Sequence, residues 1–550
     1  MGVDVKTAAE NGGASAAYDV VVVGAGFAGL YMLHKLRGLG YSARVYEAGD
    51  GVGGTWYWNR YPGARVDVES QEYSYSFSEE LEMEWEWTER YASQPELLRY
   101  INHVADRFDL RRDIQLETRV QSAIFDERVN RWTVTTSKSD RVTAKYCVMA
   151  TGCLSAPKDV DLPGAASFKG PTYHTGRWPH EGVDFTGLKV AVIGTGSSAI
   201  QSIPQIAKQA AQLTVFQRTP NFSLPAHNAP ADQTVLQRWR ANREANREAQ
   251  RASAFGAIMM NVNEVSAMDV SEEERQRVYE RCWADGGFSL IGSFSDIITS
   301  KQANDTASEF VRNKIRGLVK DPKVAEKLLP TNHPIVTKRP CVDTGYFETY
   351  NRDNVDLVDL GETPIETLTP TGVRTSASDY DVDAIVLAIG FDAMTGALCN
   401  IDIRGRHGLG LKDKWADGPR TYLGLMIAGF PNLFIVTGPG SPSVLSNMIV
   451  SIEQHVNWIA DCISYLNERQ VGAIEATGAA EADWVTHVNE VADTTLYPLA
   501  NSWYIGANVP GKPHVFMPYI GGVGVYREKC EAVAANGYEG CALTTPAHAA

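Results

Sequence analysis

Two glycine turns in this chain lead to residues of opposite charge. Gly24, Gly26 and Gly29, with Phe27 between them, follow the apolar run Tyr18 to Val23, and the next apolar run, Ala43 to Glu47, ends in an acid 23 residues after Gly24. Gly194, Thr195, Gly196, Ser197, Ser198 and Ala199 follow Lys189 to Ile193, and the run Gln212 to Arg218 ends in a base 24 residues after Gly194. Turns of this type bind dinucleotides. The first glycine permits a tight turn, the second lets the backbone approach a pyrophosphate, and the third position allows close packing of a helix whose N-terminal N–H groups receive it. Glu47 accepts hydrogen bonds from ribose hydroxyls and repels a 2′-phosphate, so it selects an unphosphorylated adenosine, as in FAD or NAD. Arg218, with Thr219 and Lys338 as further donors, pairs with a 2′-phosphate and selects NADP. One acid-ended and one base-ended unit imply two nucleotides, most simply FAD and NADPH.

Strand, glycine turn, helix, strand is the arrangement such turns need. The expected fold is therefore α/β, with two Rossmann-like dinucleotide-binding domains. Two more apolar runs end at glycines, Tyr146 to Gly152 and Ala384 to Gly390, and read as the places where the chain leaves one nucleotide domain and re-enters it. Between 231 and 330 the pattern becomes amphipathic helix, with a capping box at Ser271–Glu274 and an Asp321–Pro322 helix start. The expected division is a loose tail over 1–17, an FAD-binding domain over 18–152 and 388–545, an NADP-binding domain over 153–230 and 331–387, and an all-helical insertion over 231–330. Arg243, Arg247 and Arg251 share a helical face there and read as solvated, without function.

The 550 residues carry a formal charge of −15, which disfavours a nucleic-acid partner. With 44% hydrophobic and 21% charged residues the chain is globular in composition, and it has no apolar run of membrane-spanning length. Eight cysteines form no CxxC pair and no metal-ligand spacing, which points to free thiols, a reducing compartment and no metal. The expectation is a cytoplasmic, membrane-free monomer or weak homo-oligomer.

Two segments narrow the chemistry. Gly53 to Asp67 is dense in glycine and aromatics, suited to a flat heteroaromatic ligand. Phe168, Gly170, His174, Trp178 and Pro179 form FxGxxxHxxxWP between the two nucleotide motifs. That pattern in that place resembles the type I Baeyer–Villiger monooxygenases, and the Gly-Gly-x-Trp-x4-Tyr-Pro-Gly-x3-Asp run at 53–67 matches a second fingerprint of the family. The segments 441–448 and 501–508 look closest to phenylacetone, steroid and cyclohexanone monooxygenases.

The resemblance implies an enzyme in which NADPH reduces FAD, O2 adds to form a C4a-peroxyflavin anion, and that anion attacks a cyclic, aryl or steroid-like ketone to give an ester or lactone. It implies Arg339 as the active-site arginine and Asp67 as the acid that holds it. A fixed guanidinium stabilises the anions formed along such a path. It further implies FAD contacts from Thr55, Trp56, Tyr57, Trp58, Asp67, Tyr73, Val120 and Met448, and NADP contacts from Arg65, Asp67, Gln201 and Trp503. Ser443, Val444 and Leu445 are implied to shape the substrate pocket, and His174 to act in the interdomain linker. Rival readings are a flavin N- or S-oxygenase, a disulfide reductase of the same architecture, for which Cys147 and Cys153 are badly placed, and a non-enzymatic FAD-binding redox sensor.

Overall fold

The computed structural model describes residues 16–159, 161–260 and 262–545. The expected tail over 1–17 lies mostly outside them, and the first strand begins within it, at Ala17.

Two sheets, each with a parallel core, carry the two glycine turns. In the first, Ala17–Val23 lies between Ala43–Tyr46 and Arg141–Met149, parallel to both. Val20 to Val23 are buried on both faces, which is why the run reads as continuous Val rather than alternating. The sheet extends on one side to Ile114–Gln115, and on the other through the antiparallel strands Arg131–Thr136 and Val120–Asp126 to Asp402–Arg404. Leu433–Ile435 pairs with the C-terminal half of Arg141–Met149. The second sheet is wholly parallel, in the order Val355–Asp359, Gln212–Gln217, Lys189–Ile193, Ala384–Leu387, Thr172–His174. Each glycine turn opens a helix, Phe27–Gly38 and Ser197–Gln209. The strands predicted to reach Glu47, Gly152, Arg218 and Gly390 stop one to three residues short, so these residues lie in the loops at the carboxyl ends, where α/β sheets bind ligands.

The stretch between the second sheet's strands is helical, with Gln233–Ala241, Arg243–Ala252, Glu272–Asp285, Lys301–Leu318 and Pro322–Leu328. Its predicted caps form: Ser271 accepts from Glu274 N at 3.2 Å and Asp321 from Lys323 N at 2.8 Å.

One expectation here is overturned. Arg251 is on the surface beside Glu248, but Arg247 is 3% exposed and Arg243 is largely covered. Both pair with Glu82, Arg243 Nε at 2.9 Å and Arg247 Nη2 at 2.9 Å, and Arg247 also donates to Ser74 Oγ at 2.8 Å. Basic residues at i, i+4 look solvated until a carboxylate 165 residues away in sequence closes over them.

Replacing Glu82 with Gln leaves two covered guanidiniums short of their counter-ion, a change that costs about 3 kcal/mol or more. Chemical denaturation of Glu82→Gln is expected to show a clearly lowered midpoint; an unchanged midpoint would mean that this cluster does not hold the insertion.

Candidate functional site

The loop after Tyr61 and the strand entered at Cys341 meet at the seam between the two sheets. Val66 N and Ser70 N donate to Ala92 O and Arg90 O, which fixes the loop around Asp67. Cys341–Asp343 pairs in parallel with Ser223–Pro225, just after Arg218 and Thr219, so Lys338 and Arg339 arrive beside the second nucleotide turn. Asn221 Nδ2 donates to Arg339 O at 3.2 Å and fixes that approach.

Arg339 then reaches across the seam. Its Nε and Nη2 donate to Asp67 Oδ2 at 3.1 and 2.7 Å, and Nη1 donates to Val444 O at 2.7 Å. Burial alone would lower the guanidinium's pKa, but the charge of Asp67 and the adjacent Tyr504 outweigh it and raise it further. Arg339 is therefore charged at every working pH. The Phe288 ring lies 5.4 Å from its Cζ. A cavity of about 30 Å³ opens on Arg339, walled by Val68, Phe255, Met260, Phe288, Leu445 and Tyr504 among others. Tyr504 and Phe288 were not singled out in the sequence. Tyr504 is the neighbour of Trp503, but no local pattern ties Phe288 to an arginine 51 residues on.

Both glycine turns are built to receive an anion. Gly24 and Gly194 take φ of +103° and +112°, and a Cβ on them would meet Ala150 O at 2.5 Å and Ala388 O at 2.4 Å. The helices that follow begin at Gly26 and Gly196 with no side-chain cap and no acid in the first turn. By contrast, the helices starting after Asp232, Ser271, Ser300, Asp321 and Thr477 are capped by those side chains. Uncapped N–H donors at a glycine turn are what a pyrophosphate needs.

At the first turn Glu47 is 5% exposed and accepts from Ala25 N at 2.8 Å and Gly49 N at 2.9 Å. Burial raises its pKa and these amides oppose that, while each oxygen keeps a lone pair for a ribose hydroxyl. At the second turn Arg218 is exposed, and neither it nor Lys338 has an ion-pair or hydrogen-bond partner among the described residues. Burial first, and then Arg218, lower the pKa of Lys338, so two uncompensated cations face one region. Thr195 Oγ1 donates to Thr219 O at 2.8 Å, and Ser197 Oγ lies 3.2 Å from Cys341 Sγ. Ala199 is fully buried and Ser198 lies on the helix's first turn. Gln201 does not point outward but bonds Arg65 O at 3.0 Å and Tyr61 at 2.9 Å, and Arg65 itself spends Nη1 on Glu89 and Tyr91 O.

Other sequence-predicted residues divide into ligand-facing and packing groups. Thr55–Trp58 is one short helical turn, with Trp56 Nε1 donating to Tyr73 OH at 3.3 Å. Tyr57 is committed to packing, donating to Asp50 Oδ1 at 2.5 Å and stacking edge-on against His180. Val120 begins its strand and is buried. Met448 begins the helix Met448–Glu468. Of the expected pocket loop, Leu445 lines the cavity and Val444 gives its carbonyl to Arg339, but Ser443 turns inward to Thr437 O and Cys153 Sγ. Phe168, Gly170 and Trp178 fix their segment by packing: a Cβ on Gly170 would meet Asp383 O at 2.3 Å, and Trp178 packs at a tilt against Tyr173 and Phe185, followed by Pro179. His174 ends the edge strand beside Leu387; its Nδ1 accepts from Gly176 N at 2.9 Å, so the proton is on Nε2, which is buried without a partner. Burial and Arg177 lower its pKa to about 4, so it is neutral near pH 7 and acts through position and not charge. The loop carrying Trp503 is pinned to both chain crossings, by Asn508 Nδ2 to Phe391 O at 2.8 Å and Lys158 Nζ to Asn508 O at 3.0 Å. Burial pushes the Cys147 thiol up to about 12, and Cys153 sits away from it against Thr437, so no redox cysteine pair is present at the first turn.

Against known proteins, the profile of the pyridine nucleotide-disulphide oxidoreductases matches residues 21–290. Over 95% of both chains the protein is 44% identical to a Baeyer-Villiger monooxygenase of Pseudooceanicola batsensis. It is equally similar, 44% over 96% of this chain and 97% of the other, to a phenazine N-monooxygenase of Lysobacter antibioticus. A solved structure, an oxidized steroid monooxygenase bound to NADP, superposes with a TM-score of 0.93 at 55% identity, covering 96% of this chain and all of that one.

The unpaired Arg218 and Lys338 give the clearest test of the second turn. Arg218→Ala is expected to raise KM for NADPH at least tenfold through loss of a charge-assisted contact, while leaving that for NADH within about twofold. Equal effects on both coenzymes would remove Arg218 from phosphate recognition.

Proposed function

The chain belongs to the Baeyer–Villiger monooxygenase family, and we propose that it inserts one oxygen atom of O2 next to the carbonyl of a ketone to give an ester or lactone. FAD, when bound, supplies the activation of O2, driven by hydride from NADPH. The observation that carries the reading is the Arg339 guanidinium, held at the seam between the two glycine turns by Asp67 and Val444 O and opening on an apolar cavity.

The chain's own residues fit both nucleotides. The uncapped helix at Gly26 and the carboxylate of Glu47 would hold FAD; the uncapped helix at Gly196, with Arg218 and Lys338, would hold NADPH. We accordingly read residues 18–152 and 388–545 as the FAD domain, 153–230 and 331–387 as the NADP domain, and 231–330 as the helical insertion. Arg339 stabilises negative charge that develops on oxygen at the reacting centre, and a preorganised donor of this kind contributes about 100- to 1000-fold in rate. Asp67 fixes the direction of that charge through its two hydrogen bonds from the guanidinium. Phe255, Phe288, Leu445 and Tyr504 keep water from the centre and offer apolar surface. That surface, with the 55% identity to a steroid monooxygenase, supports cyclic, aryl or steroid-like ketones as the substrate class. Unpaired cysteines throughout support a cytoplasmic setting.

Oxygenation of a ring nitrogen in an aromatic heterocycle is the second reading, favoured by the equal identity to a phenazine N-monooxygenase. A panel of ketones and nitrogen heteroaromatics incubated with NADPH, with products identified by mass spectrometry, decides between them. Ester or lactone formation is expected; N-oxide without ester would establish the second reading. Arg339→Ala is expected to keep its FAD and lose ester formation by about 100-fold or more, and ester at a near-normal rate would take Arg339 out of the mechanism.

A further inference from the structure

Glu72 lies on the same segment as Asp67, five residues on, and is 3% exposed. Its side chain accepts three hydrogen bonds from the helical insertion: Ile258 N to Oε2 at 2.7 Å, Met259 N to Oε1 at 3.4 Å and Gln250 Nε2 to Oε2 at 3.2 Å. Its main-chain carbonyl accepts from Asn447 Nδ2 at 2.8 Å. Asn447 in turn caps the helix Met448–Glu468 through Ile449 N at 3.1 Å and donates its own N–H to Phe255 O at 2.8 Å. Phe255 and Met260, the two ends of the turn that Glu72 fastens, are walls of the Arg339 cavity, as is Asn447. At about 30 Å³ that cavity holds a water or two. A ketone needs more room than that, and the 255–260 turn is the wall fastened through a carboxylate, besides the Asn447 N–H bond to Phe255 O at its start.

We propose that Glu72 is a positioning residue for ketone selection: as a carboxylate it latches the Phe255–Met260 turn against the Arg339 cavity and so discriminates against bulky ketones. The inference rests on the ketone reading above. Discrimination follows because a larger ketone needs a larger displacement of the latched turn, whereas a small one needs little.

The latch senses protons. Two main-chain N–H groups point at the carboxylate, so a proton on Glu72 removes an acceptor they need. Burial raises the Glu72 pKa to about 7, helped by the like charge of Glu69 and opposed by Ile258 N, Met259 N and Gln250. The other groups facing it are Tyr91 and, through Gln250 Oε1 at 2.8 Å, Arg247; Glu69 is itself paired with Arg90. Glu72 is charged and the turn latched above about pH 7, and the turn is released below it.

Two readouts test this, one of them independent of turnover. The first is hydrogen exchange of the 255–260 peptide, expressed as protection relative to the unfolded chain. In the wild type, protection is expected to rise with pH through a midpoint near 7, and in Glu72→Gln to be low and flat. The second is the ratio of kcat/KM for 4-phenylbutan-2-one to that for butan-2-one. It is expected to rise about tenfold or more in Glu72→Gln, the effect of losing one hydrogen bond to a charged group, and in the wild type to rise below pH 7, while the rate of NADPH-driven flavin reduction holds within about twofold. Should Glu72→Gln not fold, Gln250→Met, which removes one donor from the carboxylate, is expected to move the wild-type midpoint upward. Protection that is independent of pH in the wild type, or a ketone ratio that Glu72→Gln leaves unchanged, overturns the proposal. Absence of ester from both ketones overturns the ketone reading itself, and hydrogen exchange still decides whether Glu72 latches the turn.

Discussion

A guanidinium placed between two nucleotide-binding sheets must be oriented by something other than water, and Asp67 does this for Arg339. The pair spans 272 residues of sequence and joins a loop of the first sheet unit to the entry of the short strand Cys341–Asp343, which pairs with Ser223–Pro225. A lone buried charge at that seam would be unstable, whereas a paired one with a third hydrogen bond to Val444 O is held in three directions. The cavity opens on the guanidinium so held, and the 441–448 loop meets it through Val444 O. Breaking it would free the arginine and also loosen the seam on which both nucleotide turns converge.

Charge is managed in the opposite way at the two helix starts. At several other helices, those after Asp232, Ser271, Ser300, Asp321 and Thr477, an Asp, Ser or Thr side chain satisfies first-turn N–H groups, which is the usual resolution of unsatisfied donors. At Gly26 and Gly196 those donors are left without side-chain partners, and at the second turn two cations also lack a counter-ion among the described residues. Unsatisfied donors and unpaired cations destabilise an isolated fold, so their concentration at these two turns marks where the chain is completed by anionic ligands. The net charge of −15 is no contradiction: it sets the far field, and Arg218 with Lys338 sets the near one.

What the sequence made legible was local. A glycine turn, the strand before it and the charge ending the next strand all lie within 25 residues, and each was placed to within a few positions. The helical insertion was legible for the same reason, because its caps are short-range signals. The partner of Arg339 is not local, and only the resemblance of two fingerprints to a known family pointed to Asp67. Arg247 shows the failure most plainly. Its spacing with Arg243 and Arg251 fits a solvated face, and nothing near it in sequence announces Glu82, Ser74 and Gln250, which bury it. On a finer scale, Ser443 lies on the loop that borders the cavity, while its hydroxyl bonds Thr437 O and Cys153, a detail no local sequence pattern announces.

The segment from Tyr61 to Ser76 gathers these long-range contacts. Tyr61 and Arg65 are tied to Gln201 on the helix after the second glycine turn; Asp67 holds Arg339; Glu72 holds the 255–260 turn and Asn447; Ser74 and Ser76 take Arg247, Arg243 and Glu453. A residue every two to five positions thus bonds a different part of the molecule, and most of the bonds involve a charged group and are among the stronger hydrogen bonds. A segment so anchored cannot move at one point without straining its neighbours, because close-packed contacts pass displacement on. The orientation of the arginine and the shape of the cavity in front of it are therefore set by one stretch of backbone. This explains how a site assembled from residues 67, 255, 339 and 445 keeps its geometry although its parts come from three structural units.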